Sequence, residues 1–243
     1  WESGRDNCPD WDIGMDSIAV PNNLMSYNRR DTSHIDSDQR PTQAQYDRFI
    51  TIVQFGREVG WDHHAIHAKG PFLMADPGVQ FILLRACRDL LELARLLDMN
   101  QAFDEIREWI KLLNTGCDWL WNDAIGGYCA RDIRSGTFSN AITNASMLSF
   151  YGGAGSPEQR ASMAAHCRRI LDACQYGMPS WDPEHTDFES KRYWRGPVWA
   201  IMNHMIWTGL ADAGETGLAA RISGDTRKLV ESQGMAEYFD PLD

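Results

Sequence analysis

Apolar residues recur at helical spacing through most of the chain after residue 41. Residues three and four positions apart lie on the same face of a helix, so this spacing predicts amphipathic helices. The clearest run follows Asp76-Pro77-Gly78 and extends from Val79 to about Leu97. Its apolar face is predicted to comprise Ile82, Leu83, Ala86, Leu90, Leu93 and Leu97.

Six further segments show the same periodicity. Thr42 fits the N-cap of the first, which runs to about Gly56. The others span residues 101–121, 139–151, 157–175, 197–213 and 215–233. Residues 127–133 instead predict a short strand, followed by a turn at 134–136. The pattern therefore predicts an all-α fold of helix pairs joined by loops, with no linker that would divide residues 1–243 into separate domains.

Two long segments lack this periodicity and are rich in polar residues, namely residues 1–41 and 176–196. Structureless segments of this length in a compact domain are usually functional or disordered. We therefore expect the functional residues in these two loops.

Composition narrows the class of partner. The net charge is −11, from 34 acidic and 23 basic residues, which argues against nucleic acid because a phosphate backbone is bound by basic patches. No stretch approaches the roughly 18 consecutive apolar residues that a membrane span requires. The sequence does not indicate an oligomeric state.

The six cysteines lie far apart, without a C-x-x-C pair. This spacing is not typical of a zinc site, and a chain of this size does not depend on disulfides. Buried thiols in a reducing compartment are the expectation, which favours the cytoplasm. The chain begins at Trp1 without an initiator methionine, so we also expect it to be part of something longer and any targeting signal to lie outside it.

His63 and His67 have the i, i+4 spacing of a zinc protease helix. His64 occupies a position where that motif requires glutamate, and no strong third ligand follows. No G-x-S-x-G elbow is present, and no G-x-G-x-x-G loop follows a strand. The sequence therefore predicts neither a metal site nor a cofactor.

Residues 1–12, WESGRDNCPDWD, bring together four carboxylates, an arginine and two tryptophans. Gly4 and Pro9 interrupt the segment, so it is not a helix face. Indole rings cover the C–H faces of sugars and carboxylates handle protons and hydroxyls, which suits a carbohydrate site. A structural loop, with its tryptophans in the core and its aspartates in caps or turns, is an equal alternative.

Residues 193–199, YWRGPVW, form a second dense motif, in which Pro197 fits the first position of the following helix. The motif indicates either a binding site or a packed helix entry with Arg195 paired to an acidic loop. A third motif places Glu237 beside Tyr238 and Phe239, where an apolar setting would raise the proton affinity of the carboxylate. Taken alone, Glu237 also fits an ordinary loop acid.

Together, these three motifs resemble, in order and spacing, glycoside hydrolase family 63, and in particular its mannosylglycerate hydrolase-like branch. Residues 76–78, 128–136 and 178–183 add further matches, so the resemblance covers nearly the whole chain. It implies an (α/α)6 toroid and an inverting glycosidase without a cofactor. It also implies that residues 1–243 are a single catalytic-domain fragment that lacks N-terminal helices and a C-terminal tail.

The resemblance assigns the general acid to Asp6 and the general base to Glu237. Arg5 stands where the family often has methionine, and Cys8 where it often has serine, which affects the shape of the pocket. The residues expected to bind substrate are Trp1, Glu2, Arg5, Asn7, Trp11, Tyr193, Trp194, Arg195, Gly196 and Trp199.

We expect hydrolysis of a small α-glycoside, such as mannosylglycerate or glucosylglycerate, and next an α-glucosidic oligosaccharide. A glycerate group would require a cation, for which the candidates are Arg5, Arg29, Arg30, Arg131 and Arg195. Three alternatives stay open: a trehalase-like hydrolase, a non-catalytic sugar-binding toroid, and a fragment that is inactive by itself.

Overall fold

The computed structural model describes residues 3–243. Helices dominate these residues, as the apolar periodicity predicts. The α-helices are α1 (Asp12–Met15), α2 (Gln43–Glu58), α3 (His63–Lys69), α4 (Pro77–Leu96), α5 (Asn100–Trp119), α6 (Asn144–Gly152), α7 (Pro157–Asp172), α8 (Ala200–Asp212) and α9 (Thr216–Gln233). Short 3-10 helices cover Pro9–Trp11 and Ser37–Gln39.

The strand predicted at 127–133 is broken into two-residue pieces. The strands are β1 (Met74–Ala75), β2 (Trp121–Asn122), β3 (Gly127–Tyr128) and β4 (Arg131–Asp132). Strand β1 pairs antiparallel with β4, and β2 with β3. The single predicted strand is therefore wrong, because its two halves pair with different partners.

Helices α4, α6 and α8 form an inner layer, with α5 packed on α4 and α9 packed on α8. Gly78 of α4 approaches Ala145 at the start of α6, and Gly209 of α8 approaches Tyr151 near the end of α6. The three inner helices therefore run in the same direction. Most of α6 is buried, which fits a helix that is apolar on every side.

Local capping explains where several helices begin. Thr42, Thr143 and Ser156 each form a capping box that satisfies free backbone amides at the start of α2, α6 and α7. The cap at Thr143 corrects the predicted start of α6 at residue 139, since Thr143 is itself extended and pairs with Trp181.

The predicted start of the next inner helix at Pro197 is also wrong. Helix α8 begins at Ala200, because Val198 is held in an extended conformation by antiparallel bridges to Pro179 and Phe239. The segment that precedes α8 is thus fixed by pairing with distant parts of the chain.

The buried side of α4 differs from the predicted one. Phe81, Leu84 and Cys87 are buried, whereas Leu83, Leu93 and other residues of the predicted face are exposed. Because α4 carries apolar residues on several sides, periodicity alone did not identify the side that packs against α5 and α6.

The main apolar core lies between the inner helices and α5, α7 and α9, and it includes Phe81, Leu148 and Ile206. A second cluster joins the first loop to α2 through Trp11, Phe49 and neighbouring residues. All six cysteines are buried thiols, as the sequence suggested. None of the helices within residues 3–243 combines the length and apolar character needed to cross a membrane.

Candidate active site

The N-terminal ends of the parallel helices α4, α6 and α8 lie beside the two polar loops. Arg5 of the first loop contacts Asp76, the N-cap of α4. The segment before α8 pairs with Pro179 and with Phe239. The three sequence motifs therefore meet at one end of the inner layer.

Asp6 lies half-buried in a turn of the first loop. Burial raises the pKa of its carboxyl, and the carboxylates of Asp31 and Glu237 act in the same direction. A backbone hydrogen bond to the carboxylate and the charge of Arg40 oppose the rise. The balance favours a carboxyl that keeps its proton to higher pH than an exposed aspartate does.

Arg5 anchors the loop that carries Asp6. Its guanidinium is buried and forms ion pairs with Asp10 at 3.0 Å and Asp76 at 2.8 Å. The other oxygen of Asp76 accepts a hydrogen bond from the amide of Gly78 at 2.7 Å, in the first turn of α4. Asp76 therefore connects the loop of Asp6 to an inner helix.

The backbone of Tyr193 forms hydrogen bonds with two residues of the first polar loop. Its amide donates to the carbonyl of Gln39 at 2.9 Å, and its carbonyl accepts from the side chain of Asn7 at 2.8 Å. Burial raises the pKa of the Tyr193 hydroxyl to about 12, with further contributions from the carboxylates of Asp6 and Glu237. Tyr193 thus lies within electrostatic reach of both acids.

An aromatic group surrounds Tyr193. The rings of Trp194 and Trp199 stack with centroids 3.9 Å apart, and the ring of Tyr193 meets that of Trp199 edge-on at 5.2 Å. Tyr238 lies 5.8 Å from Tyr193. Trp194 and Trp199 are each 6% exposed, whereas Tyr193 and Tyr238 are half-buried, so the two tyrosines present the accessible part of this group.

Glu237 is exposed and lies just after α9. The antiparallel bridge between Val198 and Phe239 holds its segment beside the loop of Tyr193. Tyr238, next to Glu237, lies 5.8 Å from Tyr193, and the carboxylate of Glu237 contributes to the raised pKa of both Asp6 and Tyr193. The segments that carry Asp6 and Glu237 therefore meet near Tyr193, although they lie at opposite ends of the chain.

Arg40 was not among the residues that sequence reasoning selected. Its guanidinium lies over the ring of Tyr193, 4.0 Å from the centroid, and 3.6 Å from a carboxylate oxygen of Asp31. A single arginine before Pro41 belongs to no recognisable motif, so only the packing of the loop against Tyr193 identifies it.

Several predicted site residues are buried. Arg5, Asn7, Arg195 and Trp199 are each at most 7% exposed, and Trp11 packs against Phe72 with ring centroids 5.2 Å apart. Trp1 and Glu2 lie outside the described residues.

The five arginines considered for a glycerate group have different surroundings. Arg5 is held by Asp10 and Asp76, and Arg195 donates to both carboxylate oxygens of Asp12, at 2.8 and 2.7 Å. Arg29 pairs with Asp31, and Arg30 is exposed. The guanidinium of Arg131 lies over the rings of Trp119 and Phe138.

Residues 3–243 contain no group of three or more histidine, cysteine, aspartate or glutamate side chains arranged to hold a metal ion. The histidines His63, His64 and His67 all lie on the short helix α3.

Comparison with known proteins gives a consistent assignment. A mannosylglycerate hydrolase from Thermus thermophilus is 40% identical over 244 residues, an alignment that covers 100% of this chain and 58% of that protein. The mannosylglycerate hydrolase MGH1 of Selaginella moellendorffii is 37% identical over 242 residues, which is 100% of this chain and 49% of that protein. The chain therefore spans about half the length of these relatives.

Solved structures agree on the fold. The crystal structure of the family 63 mannosylglycerate hydrolase from Thermus thermophilus in complex with Tris and D-glycerate matches with a TM-score of 0.94 at 38% identity, over 100% of this chain and 58% of that one. The glucose complex of the same enzyme matches with a TM-score of 0.92 at 38% identity, over 100% and 57%. The expected all-α toroid is confirmed, with this chain forming a portion of it.

A family model described as the mannosylglycerate hydrolase MGH1-like glycoside hydrolase domain matches residues 1–243. The family resemblance seen in the three sequence motifs is confirmed by this match and by the relatives above. The chain belongs to the MGH1-like glycoside hydrolases of family 63.

Proposed function

We propose that the protein hydrolyses a small α-glycoside with inversion, with Asp6 as the general acid and Glu237 as the general base. The observation that carries the proposal is that Tyr193 contacts the neighbours of both carboxylates: Asn7, next to Asp6, through a hydrogen bond of 2.8 Å, and Tyr238, next to Glu237, through rings 5.8 Å apart. The raised pKa of Asp6 supports the acid role, since a general acid must keep its proton near the working pH.

In the proposed reaction, Asp6 donates its proton to the glycosidic oxygen as the bond from that oxygen to the anomeric carbon breaks. Glu237 takes a proton from a water molecule that attacks the anomeric carbon from the opposite face. The water oxygen forms the new bond, the aglycone leaves as an alcohol, and the anomeric configuration inverts. Carboxyl groups that act in this way lie roughly 6.5–9.5 Å apart, which leaves space for the water.

The neighbouring aromatic group would bind the sugar. Tyr193 adjoins Trp199, which stacks on Trp194, and Tyr238 adjoins both Tyr193 and Trp199. Aromatic side chains combine a large apolar face with a polar edge, as required for a sugar ring with apolar C–H faces and polar hydroxyls.

Mannosylglycerate is the first substrate to test, followed by glucosylglycerate and α-glucosidic oligosaccharides. Two relatives are named mannosylglycerate hydrolases, and one solved relative holds D-glycerate. A glycerate carboxylate would require a cation near the leaving oxygen, which Asp6 protonates in the proposed reaction. The charge of Arg40 acts on Asp6, so Arg40 is the candidate for this cation. Arg40 is also paired, with Asp31, but its contact of 3.6 Å is longer than the contacts of 2.7–3.0 Å that hold Arg5 and Arg195.

The test is hydrolysis by the full-length protein of mannosylglycerate, glucosylglycerate, trehalose and an α-glucosidic oligosaccharide. We expect activity on a glycerate glycoside, with a loss of at least about 10²-fold in kcat for Asp6→Asn and for Glu237→Gln. The exposed residues Asp38 and Glu231 provide matched controls, Asp38→Asn and Glu231→Gln, which we expect to keep the wild-type rate.

Other outcomes distinguish the alternatives. Preferential turnover of trehalose would indicate a trehalase-like enzyme. Sugar binding without turnover, unchanged in both carboxylate variants, would indicate a non-catalytic toroid. Activity in the full-length protein but not in residues 1–243 alone would show that this part of the chain needs the remainder for catalysis.

A further inference from the structure

Asn7, which directly follows Asp6, connects the acid's loop to the loop of Tyr193. Its side-chain amide donates to the carbonyl of Tyr193 at 2.8 Å, and its side-chain oxygen accepts from Nε of Arg195 at 3.4 Å. Its backbone is left-handed, with φ 81°. Asparagine tolerates this conformation better than most residues, but a non-glycine residue keeps it only where its surroundings hold it there.

Arg195 is in turn fixed by Asp12. Its Nη2 donates to both oxygens of the Asp12 carboxylate, at 2.8 and 2.7 Å, and its side chain is only 8% exposed. Asp12 is the first residue of α1, so it is attached to the same first loop as Asp6. The contacts thus form a closed path from Asp6 through Asn7, Arg195 and Asp12 back to the first loop.

We propose that Asp12, acting through Arg195 and Asn7, is a positioning residue that sets where Asp6 meets the leaving oxygen. In this view Arg195 orients the acid and does not contact the sugar. The inference rests on the proposed function, because it presupposes that Asp6 is the general acid.

The path limits the movement of Asp6 in two ways. Asn7 ties the backbone next to the acid to the carbonyl of Tyr193, so a shift of Asp6 would break that bond. Arg195 and Asp12 hold the amide of Asn7 from the other side. A misplacement of about 1 Å in a catalytic group can lower the rate by about 10²-fold, so loss of these contacts should affect protonation of the leaving group.

Two substrates separate positioning of the acid from general structural support. A glycerate glycoside needs a proton on its leaving oxygen, whereas an α-hexosyl fluoride releases fluoride with little help from an acid. For Asp12→Asn in the full-length protein, we expect kcat to fall by about 10²-fold on the glycerate glycoside. On the fluoride, we expect kcat to stay close to that of the wild type, with KM for both substrates little changed.

A second variant covers the case in which Asp12→Asn does not fold. Asn7→Gly keeps a residue that readily adopts positive φ but removes both side-chain hydrogen bonds. We expect the same difference between the two substrates. Asp182 provides a matched control, because it also pairs with an arginine, Arg169 of α7, at 3.0 Å. The hydrogen-bond partners of its carboxylate within residues 3–243 are Arg169 and the amide of Glu184, neither of which belongs to the loop of Asp6. Asp182→Asn should leave the ratio of the two rates unchanged.

Each result decides the question. Equal losses on both substrates would overturn the proposal in favour of a purely structural role, and a raised KM on both would indicate that Arg195 contacts the sugar. Wild-type ratios in both Asp12→Asn and Asn7→Gly would also overturn it. The proposed function is tested separately: Asp6→Asn should lose only the glycerate glycoside and Glu237→Gln both substrates, and if neither does so, the catalytic assignment fails first.

Discussion

Val198 and Phe239 pair through both backbone amides, with N–O distances of 2.8 and 2.9 Å. Phe239 follows Glu237 closely, and Val198 belongs to the segment that begins at Tyr193. This pairing therefore holds the segment of Glu237, the proposed base, beside the segment of Tyr193. Tyr193 in turn contacts Asn7, the neighbour of the proposed acid Asp6. The contact links two motifs that are separated by the whole of α8 and α9.

Phe239 should therefore matter for both stability and catalysis. Its side chain is 2% exposed and packs with Val198 and Leu229. We expect Phe239→Ala to lower the free energy of unfolding by about 3–5 kcal/mol and to reduce kcat, because Glu237 loses its anchor. Urea unfolding and kcat at a temperature where the variant is fully folded provide the measurements.

The control for this variant is Leu229→Ala, in the same cluster but on α9. It should lower the free energy of unfolding by about 2–5 kcal/mol while kcat stays near the wild-type value. Equal kcat in Phe239→Ala and Leu229→Ala would show that the pairing at Phe239 does not position the base.

Removing the charge of Arg40 should move the pH profile upward. The positive charge of Arg40 lowers the pKa of Asp6, so in Arg40→Gln the acid keeps its proton to higher pH. Activity is lost as pH rises through the pKa of the acid, and the alkaline limb of kcat/KM against pH should therefore shift to higher pH.

Arg30 supplies the comparison, because it is exposed on the same loop. Arg30→Gln should leave the alkaline limb where it is in the wild type. A downward shift in Arg40→Gln, or equal shifts in the two variants, would argue against Asp6 as the group that this limb reports.

Alanine substitutions at two helical glycines should change the free energy of unfolding in opposite directions. A methyl group at Gly209 in α8 would overlap the backbone of Tyr151 in α6, whereas one at Gly224 in α9 would meet nothing within 4 Å. We expect Gly209→Ala to lower the free energy of unfolding by roughly 1–3 kcal/mol or more. Gly224→Ala should raise it by about 0.5–1 kcal/mol, because alanine favours a helix.

Denaturant unfolding of both variants measures this difference. A Gly209→Ala protein as stable as the wild type would mean that α6 and α8 do not approach as closely as the structure indicates.

The long helices were predictable from sequence because their apolar periodicity is a local property. The starts of α6 and α8 were not, since residues before Asn144 and Ala200 are extended through pairing with distant segments such as Trp181 and Phe239. The buried side of α4 was also missed, because a helix with apolar residues on several sides does not reveal which side is covered.

In the candidate site, too, local motifs could be found from the sequence, whereas contacts between distant segments could not. Asp6, Tyr193 and Glu237 stand in dense motifs and could be selected from sequence. Arg40 and Asp12 could not be given roles, because these depend on which loop packs against Tyr193 and which carboxylate reaches Arg195. The suggestion that Arg195 pairs with an acidic loop is confirmed by its contact with Asp12.

The most direct test of the account is to identify the anomer that the full-length protein releases first from an α-linked hexosyl glycerate. Proton NMR recorded before mutarotation measures this. One acid and one base acting from opposite faces of the ring predict that the β-anomer appears first. The α-anomer as first product would contradict the assignment of Asp6 as acid and Glu237 as base of an inverting reaction.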